Sequence, residues 1–255
     1  MAGKPTDRYH SAWHRFLRRF AQRVVLRGVI RSQVRVEVEG AENVEGLEGP
    51  FILIANHSSH LDAPVLISSL PYSLTKHVAT AVAADYFYSQ KWKSTLTSLF
   101  FNSYPVERDG RRPSGGRGGK PRRAGLSITL LRQGVPLLIF PEGTRSRNGE
   151  MTQFKPGVAA LARALRVPVV PVALIGAHEA MPVGRSWPKP GRLPVRALIG
   201  EPVQVRSGEA LKDLNERIEG RVRAMVETES VAAGVGEAPA PEADETATRP
   251  QQEEK

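Results

Sequence analysis

The feature that most restricts the fold is a set of short apolar runs, each handed on to a polar loop and then to a helical segment. Phe51-Ile52-Leu53-Ile54-Ala55, Val135-Pro136-Leu137-Leu138-Ile139-Phe140 and Val167-Pro168-Val169-Val170-Pro171-Val172-Ala173-Leu174-Ile175 read as buried strands. Helical segments over 63–70, 126–132, 157–165 and 211–226 alternate with them. That alternation predicts an α/β fold, with a mainly parallel or mixed central sheet flanked by helices. Val34-Arg35-Val36-Glu37-Val38-Glu39 alternates strictly and reads as a half-buried strand, and 76–84, 104–108 and 195–199 read as further short strands. Pro168 and Pro171 predict that their strand lies at an edge or starts there.

The ends of the chain differ from its middle. Over 9–30, Trp13, Phe16, Leu17, Phe20, Val24 and Leu26 recur at helical spacing among Arg15, Arg18, Arg19, Arg23 and Arg27. This is a basic amphipathic helix, suited either to an anionic lipid surface or to the protein's own core. The stretch 85–101 is aromatic-rich and predicts short helices that pack on the core or expose a lipid-facing patch. Residues 109–125 are rich in Gly, Pro and Arg and predict a mobile basic loop; lacking interleaved aromatics to stack bases, it disfavours nucleic acid as a partner. From residue 230 on, Ala, Gly, Pro and Glu predict a disordered acidic tail. The expected organisation is therefore a basic arm (1–33), one domain (34–229) and a tail (230–255).

With 36 Lys and Arg against 26 Asp and Glu, the formal charge of +10 points to an anionic partner: nucleic acid, a membrane surface or a phosphorylated substrate. There is no cysteine, which excludes disulfides and thiolate metal sites. Neither a signal peptide nor an apolar run long enough to span a bilayer is evident, so action on lipid would place the chain on a membrane rather than through it.

The first candidate site follows the strand at 51–55: Asn56-His57-Ser58-Ser59-His60-Leu61-Asp62. Ser59 to Asp62 reads as a capping box, with Ser59 capping the next helix, Asp62 bonding back to its first turn and Pro64 tolerated early in it. His57 lies just upstream, so the loop can fold its imidazole onto the Asp62 carboxylate. Such a carboxylate fixes the tautomer and stabilises the imidazolium formed when the ring takes a proton. No chain nucleophile is evident, since there is no Cys and no G-x-S-x-G elbow, so the hydroxyl to be activated belongs to the substrate. Two other readings stand beside this one. Asp62 is a helix cap and His57 a polar loop residue, or His57, His60 and Asp62 ligate a metal, although the spacing is no zinc signature.

A second polar loop follows the strand at 135–140. Glu142-Gly143-Thr144-Arg145 brings a carboxylate, a flexible glycine, a hydroxyl and a guanidinium to a strand end, where Arg145 can hold a phosphate and Thr144 and loop N–H groups can add donors. Arg108 follows another extended piece and can supply a second cation. Read singly, each is equally a solvated surface residue. Read together, a base for a hydroxyl and cations for a phosphate point to a phosphorylated alcohol, because parallel sheets gather such loops on one edge.

Asn56-His57-x-x-x-x-Asp62 followed by Phe140-Pro141-Glu142-Gly143-Thr144-Arg145-Ser146 resembles the glycerol-phosphate and lysophosphatidic acid acyltransferases. Pro105-Val106-Glu107-Arg108 is similar to a further block of that family, with Glu107 departing from the usual pattern, and Val167-Pro168-Val169-Val170-Pro171-Val172 resembles another. The resemblance implies transfer of a fatty acyl group from acyl-CoA or acyl carrier protein to a hydroxyl of lysophosphatidic acid. It implies His57 as base, Asp62 as its orienting carboxylate, and Arg108, Glu142, Gly143, Thr144 and Arg145 around the acceptor phosphate. No metal or other cofactor is implied, and the expected setting is peripheral, on the cytoplasmic face of the cell membrane. Rival readings are a different lipid acceptor or glycerol 3-phosphate, a thioesterase-like hydrolase, and a non-enzymatic membrane- or nucleic-acid-binding protein.

Overall fold

The computed structural model describes residues 12–83, 100–106 and 124–232. Seven strands form one sheet: β1 (Arg35–Glu39), β2 (Ile52–Ala55), β3 (Ala79–Ala83), β4 (Tyr104–Val106), β5 (Leu137–Ile139), β6 (Val169–Ile175) and β7 (Pro194–Ile199), in the order β1-β7-β6-β2-β5-β3-β4. Every neighbouring pair is parallel except β6–β7, which is antiparallel. The sheet is therefore mixed, as the apolar runs predicted. Alternation along β2 sends Ile52 and Ile54 into one core layer and Leu53 and Ala55 into the other.

Helices cover both faces. On one lie α1 (Ala12–Phe20), a π-helical segment (Ala21–Leu26) and α2 (Arg27–Gln33), which together form the N-terminal arm, with α3 (Asp62–Ser69) and the short α4 (Tyr72–Thr75). On the other lie α5 (Ala124–Arg132), α6 (Gly157–Leu165) and α8 (Leu211–Ala232). There Leu130, Val158, Leu214, Ile218 and Val222 pack against Ile52, Leu137 and Val169. The short α7 (Ala177–Ala180) follows β6. Gly176 makes that turn at φ +81°, where a Cβ would stand 2.3 Å from the Pro194 carbonyl oxygen, so only glycine fits.

Several boundaries differ from expectation. Of the two places the prolines allowed, the strand start is the one found for Pro168, since β6 begins at Val169, but β6 is an interior strand and not an edge. Pro171 is accommodated because the antiparallel register shifts by one residue beside it: Val172 pairs with Ile199, but Val169 pairs with Val203. Pro171 pairs with β7 through its carbonyl alone, which accepts from Gly200 N at 2.9 Å, and the reciprocal bond is absent at the point where the ladder gives way to the bulge. α8 runs to Ala232, past the expected start of the tail. The strand expected over 76–84 begins only at Ala79, because Lys76 and His77 complete a turn after α4. Most of the aromatic stretch 85–101, the arginine-rich loop up to residue 123, the tail beyond 232, and Glu107 and Arg108 lie outside the described residues.

The arm resolves one alternative left open by its sequence. Trp13, Phe16, Phe20 and Val24 are each more than half exposed, whereas Leu26 and Ile30 pack on the core, so only the later part of the arm is docked by apolar contact. Polar side chains hold the arm as well. Arg23 donates to the carbonyls of Ser68 and Leu70 at 3.3 and 3.1 Å, capping the C-terminal end of α3. Arg19 and Arg23 lie over the Tyr72 ring at 5.0 and 5.1 Å, and Gln22 donates to the Phe100 carbonyl at 2.7 Å. Burial and the neighbouring Arg27 and Arg19 charges lower the pKa of Arg23 from its ordinary value.

Candidate active site

β6, β2 and β5 are neighbours and run parallel, so the loops at their C-terminal ends lie side by side. The β2 loop carries His57 and Asp62. Asn56 fixes its departure by bridging to β6, donating to the Leu174 carbonyl at 2.8 Å and accepting from Leu174 N at 2.7 Å. The main chain of His57 is then paired with the β5 loop on both sides. Its N–H donates to Glu142 Oε1 at 2.7 Å, and its carbonyl accepts from Ser146 N at 2.8 Å.

Asp62 is wholly buried. Its Oδ2 accepts from Ser58 N, from Ser59 N and from His57 Nδ1, each at 2.8 Å. The return bond from Asp62 to Ser59 N is the half of the expected capping box that forms. The other half does not: α3 starts at Asp62 with Leu61 before it, and no side chain caps it. The Ser59 hydroxyl instead accepts from Leu61 N at 3.1 Å and donates to the Met181 carbonyl at 2.7 Å. Since a carboxylate only accepts, Nδ1 of His57 carries the proton and Nε2 keeps its lone pair. The imidazole stacks on Phe140 with centroids 4.1 Å apart and remains 22% exposed. A ring oriented from one side, backed by an aromatic face and open to solvent has the geometry that a general base requires. Among the described residues no three acidic, His or Cys side chains converge on a metal position.

Glu142 was expected at the acceptor phosphate. Its carboxylate is instead buried and occupied within the protein: Oε1 takes His57 N, and Oε2 takes Thr152 N at 3.0 Å and Thr152 Oγ1 at 2.7 Å. It ties the two strand-end loops together, because a carboxylate enclosed by three donors is fixed rather than available. Glu142→Gln would set an amide N–H₂ against one of those donors. It is expected to lower the unfolding free energy by about 1–3 kcal/mol, read from urea denaturation.

Gly143 adopts φ +76°, and Lys155 lies across it, with its Nζ 3.0 Å from where a Cβ would be. Thr144 is exposed. Arg145 is partly buried, and its Nη1 is shielded from solvent without a hydrogen-bond partner. His60 reports where this charge stands. Its pKa is lowered, first by burial, then by the Arg145 charge and by His57, with Asp62 opposing. Arg145 and His57 thus act on one shared neighbour. The structure brings together His57, Asp62, Glu142, Gly143 and Arg145; Arg108 falls outside the described residues.

Asn56 and Phe140 stood in the motifs without a role assigned to them, and Thr152 gave no sequence signal at all. Thr152 lies ten residues beyond Glu142 and across a loop.

The acyltransferase family model matches residues 35–175. A chloroplastic 1-acyl-sn-glycerol-3-phosphate acyltransferase of Brassica napus is 26% identical over 211 residues, covering 81% of this chain and 55% of the relative. One from Arabidopsis thaliana is 28% identical (69% and 46% covered), and the alpha form from Mus musculus is 27% identical (64% and 53% covered). The chain spans about half the length of the curated relatives it matches. The crystal structure of the 1-acyl-sn-glycerophosphate (LPA) acyltransferase PlsC from Thermotoga maritima superposes with a TM-score of 0.64 at 24% identity, covering 89% of this chain and 84% of that one, a likeness of fold.

Proposed function

The chain belongs to the acyltransferase family, and from that premise we propose that it transfers a fatty acyl group from a thioester, on coenzyme A or acyl carrier protein, to the free hydroxyl of lysophosphatidic acid, giving phosphatidic acid. The observation that carries this reading is the pairing of His57 with Asp62 in a loop fastened to the one that bears Arg145. The relatives' names supply the acceptor.

In the proposed reaction Nε2 of His57 takes the acceptor's hydroxyl proton as the oxygen attacks the thioester carbonyl. Asp62 holds the ring and balances its positive charge. Collapse of the tetrahedral oxyanion breaks the carbon–sulfur bond, and the leaving thiolate takes the proton from His57. Every proton has a carrier, so the step calls for no metal and no covalent acyl-enzyme. In this reading the Arg145 guanidinium binds the acceptor phosphate.

The same reading places the arm on an anionic membrane surface, peripherally and on the cytoplasmic face. Its exposed apolar stripe is accompanied by six arginines and no acidic residue between positions 12 and 33. Among the described residues, no helix is long and apolar enough to cross a membrane.

The test offers purified protein a long-chain acyl-CoA with lysophosphatidic acid, with glycerol 3-phosphate, or with the dephosphorylated monoacylglycerol, and follows free thiol and lipid product. Phosphatidic acid from lysophosphatidic acid is the expected result. Thiol release without an acceptor would instead mark a hydrolase, and equal use of monoacylglycerol would remove the phosphate from the reading. Arg145→Ala is expected to raise the acceptor KM by about 10- to 100-fold, the loss of a charged hydrogen bond, with little change in kcat.

A further inference from the structure

Residues 181–193 connect α7 to β7, and they repeat the arm's chemistry at a different place in the sequence. Trp187 is 58% exposed and Val183 is also exposed. From position 180 to 200 there are four basic residues, Arg185, Lys189, Arg192 and Arg196, and no acidic one. Arg196 is engaged by Glu39 and Glu229, whereas Arg185, Lys189 and Arg192 are exposed within the loop.

The loop is built against the end of the arm. The Trp187 indole N–H donates to Gln33 Oε1 at 3.0 Å, and Arg192 donates to the Arg31 carbonyl at 2.7 Å. Lys189 N donates to the Ala180 carbonyl at 2.8 Å, fixing the other side. With its one polar hydrogen satisfied, Trp187 presents an apolar ring to its surroundings.

The register of the arm makes this surface continuous. Phe16 to Phe20 and Phe20 to Val24 are helical steps of four. Val25 is exposed beside Val24, and Val29 follows Val25 by four across the end of the π-helical segment Ala21–Leu26. Val29 is exposed, and Gln33 follows it by four. The stripe from Trp13 therefore ends at the residue to which Trp187 is bonded.

We propose that the 181–193 loop is a second lipid-contacting element, in which Trp187 and Val183 enter an anionic bilayer surface alongside the arm while Arg185, Lys189 and Arg192 meet the headgroups. An exposed ring with a satisfied polar edge, set among cations and extending an apolar stripe, fits the headgroup boundary of a bilayer rather than a flat protein partner. The consequence reaches the site described above. The Met181 carbonyl, at the start of this loop, accepts the Ser59 hydroxyl inside the His57–Asp62 loop. Contact on both sides sets that loop beside the surface from which a lipid acceptor would come. The proposal rests on the membrane reading of the arm, and its test separates the two.

Two full-length variants, Trp13→Phe/Trp92→Phe and Trp92→Phe/Trp187→Phe, leave Trp187 or Trp13 as the sole tryptophan. Each is titrated with phosphatidylglycerol–phosphatidylcholine vesicles, with and without brominated acyl chains. Trp187 emission is expected to shift to the blue and to be quenched by bromine. If Trp13 responds and Trp187 does not, the loop proposal is overturned and the arm reading stands; if neither responds, both fall. A Trp187 response to acyl carrier protein but not to vesicles overturns it in favour of a protein partner. Trp187→Ala should weaken vesicle binding about tenfold while keeping turnover of a short-chain acceptor in vesicle-free solution. Lys189→Gln should weaken binding to the anionic vesicles about fivefold at low salt, a difference that disappears at high salt. Wild-type vesicle affinity in both variants would refute the proposal.

Discussion

Replacing His57 with alanine is expected to lower kcat for acyl transfer by about 10²- to 10⁴-fold, the contribution of a positioned general base, while leaving the fold in place. The two halves of that expectation have separate causes. On the proposed mechanism the ring alone takes part in the reaction, with Nδ1 bonded to Asp62 and Nε2 receiving the proton. Its main chain does the structural service, with N–H to Glu142 and carbonyl to Ser146, and alanine keeps both bonds. Asp62 also keeps two of its three donors, the Ser58 and Ser59 amides. Steady-state kinetics should therefore show the loss in kcat, and thermal unfolding should remain near wild type. Wild-type turnover in the alanine variant would remove His57 from the mechanism.

The second large effect concerns the partner. Asp62→Asn is expected to reduce kcat on the order of 10³- to 10⁴-fold, as in other sites where a carboxylate orients a catalytic imidazole. The amide oxygen must occupy the position of Oδ2, because Ser58 N, Ser59 N and His57 Nδ1 all point there. The amide nitrogen is then forced to the position of Oδ1, which is buried and has no partner among the described residues. A buried N–H₂ without an acceptor costs about 1–3 kcal/mol, and the neutral side chain no longer balances the imidazolium. Activity and stability therefore fall together, whereas in His57→Ala only activity falls. Measuring kcat and the urea midpoint for both variants tests this contrast. An asparagine variant of full stability and full activity would show Asp62 to be a passive loop residue.

Some of this was legible from short-range chemistry. The buried runs at 51–55, 135–140 and 167–175 became β2, β5 and β6, since an uninterrupted apolar run between helices has few places to lie other than inside a covered sheet. The pairing of His57 with Asp62 was legible because both stand in one loop of five residues' reach. That Glu142 shapes the loop of Arg145 was legible, but the tie it makes was not. Its neighbours in the chain are a glycine and a threonine, but its partners are the main chain of His57 and Thr152, brought to it by the packing of two loops. The prolines were legible in part: β6 does start after Pro168, but its interior place depends on which strands pack beside it.

What the sequence by itself determined was the inventory and its local order: which runs are buried, which loop follows each, and which side chains can take a proton or hold an anion. These follow from residue type and from periods of two and 3.6, which act over one or two turns of chain. Only the tertiary structure decided what those groups face. Placing β2 between β5 and β6 set the His57 loop against the Arg145 loop and turned Glu142 inward as their tie, while packing between distant segments left the arm's Trp and Phe side chains exposed and bonded Trp187 to the arm's far end at Gln33. The physical reason is that hydrogen bonds and burial are satisfied between segments distant in sequence, and no local pattern records which distant segment will supply the partner.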